Sequence, residues 1–389
     1  MRRWTRRSLL QAGLAASGLA TGSMPVFAAE LAPDSLEAMA RAKGMHFGTA
    51  LGMRGLGDVN YLDLIRAQCG MLVPENELKM PSLQPKHGVW DFARADHLLD
   101  FAEKNGLKAR GHCLLWHHPR WLPRWLEGDD FGSNQHVRAE ALLREHIEIA
   151  CKQYDRRIVS WDVVNEAVDN ITGKMRETVL SKAMGSPDQV LEFAFRTARS
   201  VLPDTELVYN DYMGWESDNA PHRNGVLRLL ERFRKNGVPV NALGIQAHIG
   251  AGNQDSNNNR AFDARDERAW RKFLEEVTGM GYSLLITEFD VHDAPLPADI
   301  IARDRAVAAL GRAFLDLTLS FTQVNALLCW GLADNYTWLQ RRNPRADGLP
   351  KRPTPYDTEF QPKPLREAIA AAIRAAPPRK PSAIAGIPA

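Results

Sequence analysis

Cysteine is scarce in this chain: Cys69, Cys113, Cys151 and Cys329 are its four, in 389 residues. They are scattered without metal-ligand spacing, and three fall inside or beside apolar, strand-like runs. That placement suits small buried hydrophobes better than a disulfide framework, and a chain of this length needs no covalent staples. An excess of one charge is also missing, with 49 basic against 47 acidic side chains and a formal net charge of +2. This argues against nucleic-acid binding and against an acidic tail. Beyond the first thirty residues no apolar run is long enough to span a membrane. No internal repeat stands out above a simple alternation of strand and helix patterns.

The first thirty residues differ from the rest. "MRRWTRRSLLQAGLAASGLATGSMPVFAAE" has basic residues, then an Ala/Leu/Gly run, then small residues at Ala28 and Ala29. That order is an export signal, assigned to residues 1–29. The Arg6-Arg7 pair ahead of Ser8, Leu9 and Leu10 fits a twin-arginine signal, which implies export of an already folded protein to the periplasm or the medium. An ordinary secretory signal with a basic start is the alternative. A membrane anchor is disfavoured because the apolar run falls short of the roughly 20 residues a span needs. Residues 377–389 are Pro-rich and expected to be loose, leaving 30–376 as one folded domain.

Within that domain, eight short apolar segments recur, at 44–51, 70–76, 107–116, 157–166, 206–211, 241–249, 282–291 and 324–332. Their runs are too continuous for strands buried on one face only. The stretches between them, such as "FARADHLLDFAEKNG" and "RAEALLREHIEIACKQY", space their apolar residues by three and four. Strand then helix, eight times over, predicts an α/β fold closed as a single-domain (β/α)8 TIM barrel, with "FQPKPLREAIAAAIRAA" as the last helix.

In such a barrel the functional face lies at the carboxyl ends of the strands. Polar residues collect there on nearly every strand. The second ends in Glu75 and Asn76 with Lys79 just beyond, the third carries His112 and Trp116, and the fourth ends in Asn165 and Glu166. The fifth ends in Asn210, Asp211 and Tyr212, the sixth in Gln246 and His248, and the seventh in Glu288 and Asp290. The eighth carries Trp330, with Trp338 in the polar loop after it. A carboxylate at an apolar strand end must be paired, hydrogen-bonded or functional, because burying an isolated charge is costly. One such Glu would be unremarkable as a cap or loop ion pair; several converging ends are not. Carboxylates on strands four and seven, facing each other across the mouth, suit cleavage of a glycosidic bond. The tryptophans would stack on sugar faces, with core packing an equal alternative for Trp116.

The strings "WDVVNEAV" and "ITEFDV", together with "PENELK", "RGHCLLWH", "GIQAHI" and "CWGLADNYTW", resemble glycoside hydrolase family 10, the endo-β-1,4-xylanases, from about residue 33 to 375. The resemblance implies a retaining double displacement on β-1,4-xylan and xylo-oligosaccharides. Matched motif by motif, Glu166 falls on the acid/base and Glu288 on the nucleophile. Asn165 falls on the residue that binds the sugar 2-hydroxyl. His248 and Asp290 match a hydrogen-bonded chain that keeps the nucleophile ionised. Glu75, Asn76, Lys79, His112, Trp116, Gln246, Trp330 and Trp338 match positions lining the glycone subsites, and Tyr212 is counted with the substrate-binding residues. No cofactor and no metal are expected, and the protein is expected to be a monomer.

One departure stands out. Where family members often read Trp-His-Ser-Gln, this chain has Trp116, His117, His118 and Pro119. Pro119 cannot replace a glutamine amide, so the far end of the glycone side should differ. A metal site built from His112, His117 and His118 is the competing reading of the same stretch, opposed by the alternation that points adjacent strand residues apart. A non-catalytic sugar-binding barrel and a hydrolase preferring β-1,4-glucan are the other readings of the whole.

Overall fold

The computed structural model describes residues 31–250, 266–342 and 344–380. The export signal expected at residues 1–29 lies outside the described residues.

The described residues form nine strands: β1 His46–Leu51, β2 Met71–Pro74, β3 Lys108–Trp116, β4 Ile158–Asn165, β5 Glu206–Asp211, β6 Ala242–Ile245, β7 His248–Ile249, β8 Ser283–Val291 and β9 Val324–Cys329. Every pairing among them is parallel. β1 pairs with both β2 and β9, while β6 pairs directly with β8, so eight staves close into a barrel and β7 is a short addition on β8. The eight expected segments are these staves, with one difference. The sixth, expected as a continuous run over 241–249, is split into β6 and β7. The reason is a change of partner: Gln246 N–H still donates to the Asp211 carbonyl on β5, whereas Ala247 and Ile249 carbonyls accept from Asp290 and His292 on the other side.

The strands are buried on both faces, as a parallel sheet covered by helices requires. A narrow apolar layer fills the barrel, including Met71, Val73, Val208, Leu285 and Leu328; a much larger one lies between barrel and helices. Helices follow the expected spacing. The run Pro187–Val201 starts on Ser186, whose side chain accepts from Gln189 N–H, with Pro187 in the first turn, where its missing N–H is harmless. Its inner face buries Val190, Leu191, Ala194 and Phe195; burial of the Phe195 ring contributes about 1.5–3 kcal/mol. The stretch expected from "FARADHLLDFAEKNG" is helical over Ala93–Lys104 and stops at Gly106, whose φ of +67° a side chain would resist. The last helix, Pro364–Ala375, packs on Ile300–Thr318.

All four cysteines are buried and unpaired. The start of the Pro-rich tail is docked rather than loose: Arg379 N–H donates to the Lys43 carbonyl, and its guanidinium to the Leu319 carbonyl. No described helix is long and apolar enough to cross a membrane.

Candidate active site

Below the barrel mouth lies a buried polar layer that sequence alone does not reveal. Arg110 on β3 donates to Asp162 on β4 at 2.6 Å and to Ser160, and Ser160 in turn donates to Glu206. The second oxygen of Asp162 meets His112 Nδ1 at 2.9 Å. Burial opposes charge on Asp162, but Arg110 and His112 hold its pKa below the ordinary value. His112 is thereby fixed with its ring edge against Trp330, and its Nδ1 is also 4.0 Å from Glu288 Oε1.

Above this layer the strand ends surround a cleft of about 410 Å³. Glu75, Asn76 and Lys79 line one wall, His112 and Trp116 the next, then Glu166, Tyr212, Gln246 and His248; Glu288, Trp330 and Trp338 complete the ring. Asn165 and Asp290 sit directly behind it, fully buried. Every residue singled out from sequence is thus in the lining or one contact behind it. Several lie a residue past their strand: β2 stops at Pro74, β4 at Asn165 and β9 at Cys329, placing Glu75, Glu166 and Trp330 in the loops that follow. Trp116 faces the cleft, with Lys79 Nζ 4.6 Å from its ring centre and Lys79 also bonded to Asn76 Oδ1.

Glu288 reaches the cleft from β8. Its Oε1 accepts from Asn210 Nδ2 at 2.9 Å, and its Oε2 lies 3.1 Å from His248 Nε2. The other nitrogen of His248 is 2.9 Å from Asp290 Oδ1, and Asp290 Oδ2 accepts from Trp338 Nε1 at 2.9 Å. Burial works against a charged His248, but Asp290 and Glu288 outweigh it and raise its pKa to about 10. Burial likewise raises the proton affinity of Glu288, and the hydrogen bond from His248 with the charge of His112 overcomes it, leaving the pKa below the ordinary carboxyl value. His112 and His248 thus serve carboxylates, while His117 Nε2 bonds the Arg176 carbonyl; among the described residues no group of three or more His, Cys, Asp or Glu could hold a metal.

Glu166 is set the other way. Its backbone adopts φ +54°, a conformation costly for a side-chain-bearing residue, and its N–H donates to the Asn210 carbonyl on β5. Burial raises its pKa to about 7, reinforced by the nearby Asp211 and then Glu288; the indole of Trp116 and Gln246 Nε2 oppose the rise. Asp211 is itself locked by Tyr209 Oη, by His222 Nε2 at 3.0 Å and by the Tyr212 N–H.

Residues 35–372 match the family model described as glycosyl hydrolase family 10. The chain belongs to glycosyl hydrolase family 10. It is 29% identical over 307 residues to endo-1,4-beta-xylanase B of Thermotoga neapolitana, spanning 78% of this chain and 82% of that one. It is 31% identical over 310 residues to a beta-1,4-xylanase of Dictyoglomus thermophilum, spanning 76% and 80%. The crystal structure of native xylanase 10B from Thermotoga maritima superposes with a TM-score of 0.76 at 28% identity, covering 87% of this chain and 98% of that one.

This family 10 barrel also holds residues to which the sequence assigned no role. Asn210 is the foremost: its Nδ2 reaches both Asn165 Oδ1 and Glu288 Oε1, and its Oδ1 accepts from Thr287 Oγ1. It stands beside Tyr212 at the end of β5, so its position was a signal, but nothing local tells which of three neighbouring polar residues points inward. Gly244 makes room for it, since a Cβ there would lie 2.2 Å from Asn210 Oδ1. Arg176, from the loop after β4, donates to Tyr212 Oη at 2.7 Å.

Proposed function

We propose that this family 10 chain is an endo-acting β-1,4-xylanase that cleaves internal xylosidic bonds with retention of configuration. Glu288 is assigned as nucleophile and Glu166 as acid/base. The observation that supports this most is two buried carboxyl groups lining one cleft whose surroundings displace their pKa values in opposite directions, Glu166 raised to about 7 and Glu288 lowered. Pairs whose environments push them apart in this way divide acid and base work.

In the first step Glu288 attacks the anomeric carbon while Glu166 gives its proton to the departing glycosidic oxygen. In the second, Glu166, now ionised, takes a proton from water as that water displaces Glu288. Asn165 Nδ2 is buried without an acceptor among the described residues, while its Oδ1 accepts from Asn210 and Gln246. Such a donor is aimed for a substrate oxygen, and the sugar 2-hydroxyl is the group adjacent to the reacting carbon. The substrate-binding roles of Glu75, Asn76, Lys79, His112, Trp116, Tyr212, Gln246, Trp330 and Trp338 belong to the same proposal. So do export by the first 29 residues and a periplasmic or secreted location. Incubation with xylohexaose followed by anomeric NMR tests the proposal. Internal cleavage with β-configured new reducing ends is expected; an α-configured first product, or no cleavage, overturns it.

A further inference from the structure

Two tryptophans on the cleft walls each carry an arginine over the ring. Arg120 lies 5.4 Å from the centre of Trp121 and Arg342 lies 5.3 Å from that of Trp338; all four residues line the same cleft. Trp121 stacks on Trp116 with ring centres 5.0 Å apart, which prolongs the aromatic wall outward, and it is 37% exposed. Resting a guanidinium on an indole holds the charge in place without neutralising it. Other arginines divide between ion pairs, such as Arg176 with Asp169, Arg345 with Asp347 and Arg352 with Asp304, and ring contacts, such as Arg54 over Tyr336 and Arg144 over Phe193, but none of these lines this cleft. Neither Arg120 nor Arg342 has a carboxylate partner among the described residues.

The distribution of charge in the cleft is therefore layered. Glu75, Glu166 and Glu288 occupy its inner part together with the cationic Lys79 and His248, and the two guanidinium groups stand exposed at its rim. A xylose backbone is neutral and offers a guanidinium only hydroxyls. A chain bearing acidic branches brings carboxylates, which the guanidinium groups at the rim attract, and a planar guanidinium matches a carboxylate with two parallel donors. Arg120 also directly follows Pro119, which has no amide to offer a sugar.

We propose that Arg120 and Arg342 recognise the carboxylate of uronic-acid branches, so that this enzyme prefers acidic over neutral xylan; this rests on the xylanase function proposed above. The test compares kcat/KM on glucuronoxylan with kcat/KM on the same polymer after its carboxyl groups are reduced to alcohols, which keeps the branch and removes the charge. Wild type, Arg120→Gln, Arg342→Gln and the double variant are measured as full-length protein. Because the ratio is taken within each variant, loss of folded protein cancels. The wild-type ratio should exceed one and fall by about two- to fivefold per arginine removed. It should also collapse toward one in about 1 M salt, where the screening length shrinks to about 3 Å. A wild-type ratio of one, or one unmoved by the substitutions, overturns the inference while leaving the xylanase assignment intact. Absence of turnover on both polymers overturns the xylanase assignment and the inference with it.

Discussion

Asn210 Nδ2 donates to Glu288 Oε1 at 2.9 Å. The same amide nitrogen is 3.0 Å from Asn165 Oδ1, so one residue of β5 ties the candidate nucleophile to the residue beside the candidate acid/base. Hydrogen bonds to an ionised carboxylate favour the charged form. Asn210→Ala should therefore move the acidic limb of the kcat/KM profile to higher pH. It should also lower kcat/KM about 10- to 100-fold, since a hydrogen bond to a charged group is worth about 1.5–3 kcal/mol. An acidic limb that stays in place would leave Asn210 with a packing role alone.

Glu166→Ala should separate substrates by leaving group. Xylan needs a proton on its departing oxygen, and general acid catalysis typically contributes about 10²- to 10⁴-fold. A dinitrophenyl xylobioside needs none, so its first step should be nearly intact and the glycosyl-enzyme should accumulate, visible as a burst of phenolate with a lowered apparent KM. Equal loss of the first step on both substrates would assign Glu166 to holding the sugar.

The pH dependence has a definite sign. The competent acid form of Glu166 is protonated, and its pKa is raised to about 7, so activity should fall as pH climbs through about 7. Glu288 must be ionised, and its pKa is lowered, so the acidic limb should lie below the ordinary carboxyl value. The two groups interact, so both limbs belong to the pair. Burial is the foremost reason for the raised value and Asp211 comes ahead of Glu288. Asp211→Asn should accordingly shift the alkaline limb to lower pH in steady-state profiles; an unshifted limb would remove Asp211 from that role.

A stability prediction follows from the loop after β9. Lys363 Nζ, buried at the start of the last helix, donates to both oxygens of Asp334 at 2.8 and 2.9 Å. Removing the cation alone leaves Asp334 buried with the more distant Arg352 and the hydroxyl and N–H of Thr354. Lys363→Ala should cost about 3–5 kcal/mol in urea unfolding, and Lys363→Ala with Asp334→Ala should cost less than the sum of the two single changes. Strict additivity would show that the pair is not coupled.

Changing Arg6 and Arg7 together to Lys should trap precursor in the cytoplasm while lysates keep their activity, as measured by fractionation. Export at the wild-type level would indicate an ordinary secretory route.

The order of the chain by itself determined the architecture. Eight apolar runs with helical spacing between them bury both faces when they close into a barrel wrapped by helices, and parallel strands place every residue that follows them at one rim. The position of the candidate site was legible for the same reason: Glu166 follows β4 directly and Glu288 lies near the end of β8, where a short string fixes which end of the barrel a side chain reaches. What the sequence could not decide was everything that depends on distance across the barrel. The break between β6 and β7, the choice of Asn210 over its neighbours as the link to Glu288, the Arg110–Asp162 pair behind His112 and the docking of Arg379 all join segments tens to hundreds of positions apart. Only closure of the barrel brings such groups within hydrogen-bonding range. The pKa of Glu166 belongs to this second class as well, because burial and the field of Asp211 on another strand exist only in the folded chain.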